Sequence, residues 1–341
     1  MGTLDFMLYA LLMKPVSPAR DPEGHEKEQS LMLQIICLKF WTIMTQLHKS
    51  GYVSIVGKTN AGKSTLLNHI LGQKIAITSR KPQTTRHRFL GIKTEANNQI
   101  IFVDTPGFHS GQKRALNRYM NKVASNAMRG VDVVLYVLDR FNWEESDLDR
   151  VKSIQKETTP ILVINKIDKL DDKNLLLPFI EEIDKQKIFA DIVPISALKI
   201  VNVDGLIQSI CSYLPEGDYL FPAHQVTDIS ERFLTSEIIR EKCINRLGDE
   251  LPYRISVSID HFSDSDGVIY IDSTIFVEKQ SQKGMLIGKS GSRLKAIGTD
   301  SRKELEQLLE TKVMLKTWVK VKSGWSDNET LLPSMGYSLD K

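Results

Sequence analysis

Apolar residues along this chain recur with two different periods, and the alternation between them predicts the architecture. From 51 to 214, short β-branched runs at 53–56, 91–95, 99–104, 131–138, 161–165 and 191–194 read as strands. Between them lie segments such as Thr65-Leu66-Leu67-Asn68-His69-Ile70-Leu71, whose apolar residues recur at helical spacing. Strands alternating with helices predict an α/β domain, a sheet covered on both faces. Beyond 214 the pattern changes. Leu214-Pro215-Glu216-Gly217-Asp218 and Pro222 are polar or helix-breaking, and after them come a helix over 230–247, strands at 253–260 and 267–278, two helical segments joined near 284–291, and a last strand. The breakers mark a boundary, giving a first domain over 46–214, a linker over 215–228 and a smaller α+β unit over 229–341.

Residues 1–45 continue neither pattern. A polar stretch at 15–30 separates apolar pieces at 6–13 and 31–43. The first piece lacks the basic flank of a signal peptide, and the polar stretch has too few apolar residues to offset its ordering entropy. The expectation is a disordered extension, or a start codon chosen too early with Met44 as the alternative. The piece at 31–43 also has the character of a helix that touches a membrane surface, which leaves a peripheral contact with the inner membrane open.

Composition narrows the picture modestly. The 341 residues suffice for about two soluble domains. Lys and Arg exceed Asp and Glu by only 45 to 42, so affinity for nucleic acid has to come from local patches. Cys37, Cys211 and Cys243 lie far apart, without the spacing of a metal or disulfide framework. No apolar run is long enough for a membrane span, and a cytoplasmic location is expected; a monomer is the expectation for the assembly.

Ligands of such sheets gather at the carboxyl ends of the strands, where the polar motifs stand. Gly57-Lys58-Thr59-Asn60-Ala61-Gly62-Lys63-Ser64 follows the first strand and opens the Thr65 helix, in the strand–loop–helix context of a phosphate-binding loop. Its glycines let the backbone curl round phosphate with N–H groups inward. Lys63 is expected on the β- and γ-phosphates, and Ser64 on Mg²⁺. Asp104-Thr105-Pro106-Gly107 places a second Mg²⁺ group, Asp104, at a strand end and an unhindered amide at Gly107 for the γ-phosphate. Between them, Thr85, in preference to Thr84, is the hydroxyl that completes the Mg²⁺ shell. Lys63, Thr85 and Gly107 are accordingly the candidate catalytic residues.

Asn165-Lys166-Ile167-Asp168 ends the 161–165 strand, where Asp168 can accept guanine N1–H and the exocyclic amine; adenine offers an acceptor at N1 instead. That argues against an ATP-driven RNA remodeller. Ser196-Ala197-Leu198 closes the set, with backbone N–H groups for guanine O6. Ser196 alone is as readily an ordinary turn; five motifs in order are not.

In the smaller unit, Gly288-Lys289-Ser290-Gly291 joins two helical segments as a G-x-x-G loop, which can press against a nucleic-acid backbone. Lys283, Lys289, Arg293, Lys295, Arg302 and Lys303 crowd it, and Lys316, Lys320 and Lys322 follow on the last strand. Gly288, Lys289, Ser290, Gly291, Arg293 and Lys295 are the candidate RNA-binding residues. Trp318 and Trp325 are candidate stacking rings, with core packing the expectation for Trp318.

Ser79-Arg80-Lys81-Pro82-Gln83-Thr84-Thr85-Arg86-His87-Arg88, Val103-Asp104-Thr105-Pro106-Gly107 and Asn165-Lys166-Ile167-Asp168 resemble the Era GTPases, Ras-like proteins with a carboxy-terminal KH domain. The resemblance runs from about residue 50 to the end. It implies a mixed, mostly parallel sheet followed by a type II KH domain, GTP/GDP and Mg²⁺ as ligands, and binding near the 3′ end of small-subunit ribosomal RNA during assembly of that subunit. The rival is a GTP-controlled peripheral membrane or cell-cycle regulator. Thr59 and Ala61 depart from the usual Pro and Val of the family's phosphate loop without removing a phosphate-facing group. Position 108 is Phe, where Ras-like proteins with Gln use that side chain to orient water, so slow intrinsic hydrolysis is expected. His109 reads as an exposed loop residue.

Overall fold

The computed structural model describes residues 48–79, 81, 84–108, 115–154, 157–247, 255–335 and 337. The N-terminal extension, Arg80, Pro82, Gln83 and His109 lie outside them. The first sheet comprises β1 (Lys49–Val56), β2 (Phe89–Glu95), β3 (Asn98–Asp104), β4 (Val133–Asp139), β5 (Thr159–Asn165) and β6 (Asp191–Pro194), in the order β2-β3-β1-β4-β5-β6. All neighbours are parallel except β2 and β3, a hairpin, so the sheet is mixed and mostly parallel as expected.

Strand periodicity divides the core. Val53, Ile55, Phe102, Leu135, Val137 and Val163 face one side, against α1 (Lys63–Leu71) and α5 (Val203–Tyr213). Val56, Val103, Val134, Tyr136, Leu138 and Leu162 face the other, over which α2 (Ala115–Asn126), α3 (Glu145–Ile154) and α4 (Leu176–Asp184) complete the layer.

The second unit begins with α6 (Glu231–Arg246), capped by the Ser230 hydroxyl, which accepts from Phe233 N–H. It continues through β7 (Ser256–Ser265), β8 (Val268–Val277), α7 (Gln280–Ile287), α8 (Ser292–Leu308) and β9 (Lys312–Val321). β8 lies between β7, antiparallel, and β9, parallel. Ile238, Ile239, Ile271, Ile275, Leu286, Ile297 and Leu305 form its core on one face of that sheet. Among the described residues no helix is long and apolar enough to cross a membrane.

The segment read as a linker is strapped down. Ser50 N–H donates to Pro215 O (3.1 Å) and Ile92 N–H to Val226 O (2.7 Å), while Asp228 Oδ1 accepts from Leu90 N–H (2.7 Å). The buried Gln99 side chain takes the Leu220 and Phe221 amides (2.8 and 2.9 Å) and donates to Phe221 O (2.8 Å). The segment is non-helical, and these groups bond to β1, to the edge strand β2 and to Gln99 of β3 rather than to water.

The two tryptophans reverse the expectation. On β9 the core-facing set is Val313, Leu315 and Val319, and the pleat turns Trp318 outward, 47% exposed. Trp325 is fully buried, stacked on Tyr337 (5.8 Å, 8°) in a cluster with Leu116, Tyr119 and Met120 of α2. The tail after β9 therefore packs on the first domain.

α6 also grips the segment between α1 and β2. Glu241 accepts from Thr78 N–H (2.8 Å) and Lys74 (2.6 Å), and Lys74 reaches Glu304 of α8 (2.5 Å). Arg240 donates to Thr84 O. The buried Arg86 donates to Ile255 O (2.7 Å) and Tyr337 Oη (2.8 Å). His87 stacks on Tyr337 (4.7 Å), and burial, opposed by Glu237, pushes its imidazole down to about 4.

Candidate functional site

Lys63 opens α1 and turns back under the loop that precedes it, donating to Gly57 O (3.1 Å) and Lys58 O (3.0 Å). It is nearly buried, and burial brings its ammonium down to about 8 while Asp104 pulls the other way. One residue on, Ser64 Oγ lies 2.8 Å from Thr85 Oγ1 and donates to Asp104 Oδ2 at 3.4 Å. Thr84 is turned away, its hydroxyl donating to Lys81 O (2.7 Å). Burial, resisted by Lys63, raises the Asp104 carboxyl to about 6, and its Oδ1 has no hydrogen-bond partner among the described residues. Two hydroxyls and a carboxylate with an orphaned buried oxygen make a hard-oxygen donor set that fits Mg²⁺.

Gly107 shows why that position excludes a side chain: a Cβ there would stand 2.8 Å from Thr59 N and Cα. The Asp-Thr-Pro-Gly loop thus lies directly on the phosphate loop, with Phe108 N–H donating to Gly57 O (3.3 Å). The Phe108 ring sits under the Arg150 guanidinium, 5.0 Å from its centroid.

Asn165 joins three motifs. Its Nδ2 donates to Ala61 O (2.8 Å), and its Oδ1 accepts from Lys166 N–H (2.7 Å) and Ala197 N–H (2.9 Å). Lys166 spans to Asn60 O and Asp139, both at 2.6 Å. Asp168 Oδ1 accepts from Ser196 Oγ at 2.6 Å, which orients the carboxylate at the strand ends. Ser196 N–H donates to Val201 O (3.1 Å), so of the amides expected at guanine O6 those of Ser196 and Ala197 are engaged within the protein here.

In the second unit, Gly288-Lys289-Ser290-Gly291 connects α7 to α8. Beside it a groove of about 430 Å³ runs between α8 and β9, lined by Gly291, Leu294, Lys295, Thr299, Arg302 and Leu315 among others. Gly291 and Lys295 are thus at the groove. Arg293 points back, donating to Met285 O of α7.

Residues 52–166 match the family described as a 50S ribosome-binding GTPase, and residues 250–326 match the KH domain. GTPase Era of Pseudomonas fluorescens is 52% identical over 294 residues, covering 86% of this chain and 98% of the relative. GTPase Era of Azotobacter vinelandii is 53% identical over 293 residues, covering 85% and 97%. This chain belongs to the Era GTPase family. Two solved Era structures agree: one in complex with MgGDPNP and nucleotides 1506–1542 of 16S ribosomal RNA (42% identity, TM-score 0.82, 86% of this chain and all of that one), and a variant Era from Aquifex aeolicus bound to GDP and AlF4⁻ (41%, 0.82, 85% and all).

Several residues around this Era-family site escape the motifs. Asp139 anchors Lys166, and the fully buried Asp147 pairs with Lys58 of the phosphate loop (3.0 Å) while accepting from Tyr136 Oη (2.6 Å). Asp139 ends β4, so the strand-end rule points to it; Asp147 lies inside α3 and has no such signal. In the KH groove, Thr299 and Arg302 follow Gly291 and Lys295 along one face of α8, a helical spacing readable once the loop is known.

Proposed function

We propose that this GTPase binds GTP and GDP with Mg²⁺, and that its nucleotide state sets how the KH domain engages the 3′ end of small-subunit ribosomal RNA during assembly of that subunit in the cytoplasm. One observation carries the reading: Thr85 stands beside Ser64 on a segment whose neighbours are held by Glu241, Arg240, Ile255 and Tyr337 of the other unit. A γ-phosphate that fixes Thr85 therefore fixes a surface on which the KH domain rests. The RNA is taken from the Era relative that holds 16S ribosomal RNA nucleotides.

In this reading Gly57, Asn60, Ala61, Gly62, Lys63, Ser64 and Thr65 cradle the phosphates. Ser64, Thr85 and Asp104 hold Mg²⁺, which neutralises charge on the phosphate oxygens when bound. Lys63 and the Gly107 amide stabilise charge developing on the γ-phosphate. Phe108 offers no group to orient water, which keeps basal hydrolysis slow. Asn165 and Lys166 brace the base pocket, Asp168 selects guanine, and Ser196 and Ala197 hold Asp168 and Asn165 in place. Asp168→Asn is expected to lower GTP affinity and raise that for XTP, because an amide donor then faces the base; nucleotide titration of both proteins checks this, and unchanged GTP affinity without a gain for XTP removes Asp168 from the pocket.

Gly291 separates folding from RNA binding in the KH loop. It has φ +77° but nothing within 4 Å of an added Cβ, whereas a Cβ at Gly288 would meet Arg293 Cβ at 2.8 Å. Gly291→Asp is expected to keep the fold at a cost of about 1 kcal/mol, to lose RNA affinity by 10-fold or more, roughly, through a carboxylate set against phosphate, and to leave basal GTP hydrolysis intact. Binding of the 16S 3′-end RNA in gel-shift titrations tests the function; full affinity in the folded variant, or none in the wild type, refutes it.

A further inference from the structure

The geometry points to a second RNA surface on the open face of the KH sheet, a stacking platform for single-stranded RNA built on β9 and β8. The parallel register sets Tyr270 beside Met314, Asp272 beside Lys316, Thr274 beside Trp318 and Phe276 beside Lys320. Residues of the other parity, including Ile271, Ile275, Val313 and Val319, are in the helix-covered core. Tyr270, Met314 and Trp318 are 43, 52 and 47% exposed, and Lys312, Lys316 and Lys320 are exposed. At the far end of this face the tail intervenes, with Lys322 over the Phe276 ring (5.9 Å) and against Met335 (3.3 Å). Thr274 is buried within this face and Phe276 lines a cavity shared with residues of the first domain, so the open part is Tyr270 and the outward residues of β9.

The outward row on β9 therefore reads Lys312, Met314, Lys316, Trp318, Lys320, cations alternating with an apolar side chain and an indole about 6.5 Å apart. Two carboxylates approach this row: Asp272, opposite Lys316, and Asp260, which accepts from the hydroxyl of Thr274 beside Trp318 (2.6 Å). Lysine is depleted at protein–protein interfaces, whereas interleaved cations and rings suit a single strand, phosphates on the ammonium groups and bases on the rings. Position strengthens the case. β9 is the sheet's edge, and its other face supplies Leu315 and Thr317 to the KH groove. A strand leaving the groove need only pass over that edge to lay its bases on Trp318 and Tyr270.

This inference rests on the reading of the groove as an RNA site, and the experiment separates the two. Full-length protein is titrated with an RNA of about six nucleotides, enough for the groove, and with the same RNA extended at its 5′ or 3′ side to about sixteen. One extension is expected to tighten binding about tenfold. That gain should disappear in Trp318→Leu, which keeps apolar cover over Thr274 without the indole, and shrink in Lys316→Gln/Lys320→Gln, while the short RNA binds all three proteins alike. Trp318 emission should be quenched by the extended RNA alone, as the difference between wild type and Trp318→Leu. No gain from either extension, or an undiminished gain in both variants, overturns the platform while leaving the groove intact. Failure of the wild type to bind the short RNA overturns the groove and the platform together. Loss of binding to ribosomal subunits in Trp318→Leu with naked RNA unaffected makes this face a protein contact and overturns the proposal as well.

Discussion

Replacing Lys63 with Met is expected to weaken nucleotide binding by roughly 10²-fold and to abolish GTP hydrolysis while leaving a folded protein. The ammonium lies under the phosphate loop on Gly57 O and Lys58 O, the position from which it meets the β- and γ-phosphates. Charge-assisted bonds to phosphate contribute about 1.5–3 kcal/mol each, so losing them weakens GDP and GTP by roughly 10²-fold. The effect on the nucleotide-free protein is smaller, because two terms oppose. Removing a buried ammonium relieves its desolvation, and losing it leaves the buried Asp104 without its cationic neighbour. Thermal melts with and without saturating GDP read both: wild type gains stability with ligand as expected from linkage, and Lys63→Met should show a similar ligand-free Tm with a much smaller rise on adding GDP. A normal GDP-induced rise in the variant would sink the assignment of this loop.

Arg86→Ala is expected to lower stability by about 3 kcal/mol and to reduce the preference for GTP over GDP. Arg86 is fully buried, donating to Ile255 O and to the Tyr337 hydroxyl. Truncation leaves the Ile255 carbonyl buried without its donor and opens a cavity, each worth about 1–3 kcal/mol. Tyr337→Phe removes one of these partners and should cost about 1 kcal/mol. The functional part follows from Thr85, the neighbour of Arg86, whose hydroxyl stands by Ser64. Loosening the anchor makes the ordered position of Thr85 costlier to reach, which weakens GTP and spares GDP. Denaturant titration and the ratio of the two affinities measure both consequences; stability within 0.5 kcal/mol of wild type, as an approximate threshold for a surface change, would show that Arg86 does not join the two units.

Most of the nucleotide site was legible because each part is a contiguous motif at a strand end. Five to eight neighbouring residues carry their own chemistry, so Lys63, Ser64, Asp104, Asn165 and Asp168 could be named without knowing what packs where. Thr85 stands beside Ser64 while Thr84 turns away to Lys81 O, a choice of face made by the packing of this extended segment. Trp318 lies outward, against the expectation of core packing, because on β9 the pleat set by Val313 and Val319 decides the face and hydrophobicity does not.

What this chain's sequence determined by itself is local: the periods that make α/β and then α+β, the glycine loops, and the order of motifs that marks an Era-type GTPase with a KH domain. The tertiary structure alone decided how the two units hold each other. Glu241 and Lys74 are 167 positions apart, and Arg86 and Tyr337 are 251. In the sequence Arg86 is one more basic residue of a polar loop and Tyr337 one more aromatic near the end. Only the fold buries them together, and a buried guanidinium has to find acceptors. No period or motif encodes such a pair, because the need for a partner arises when water is removed, and folding is the step that removes it.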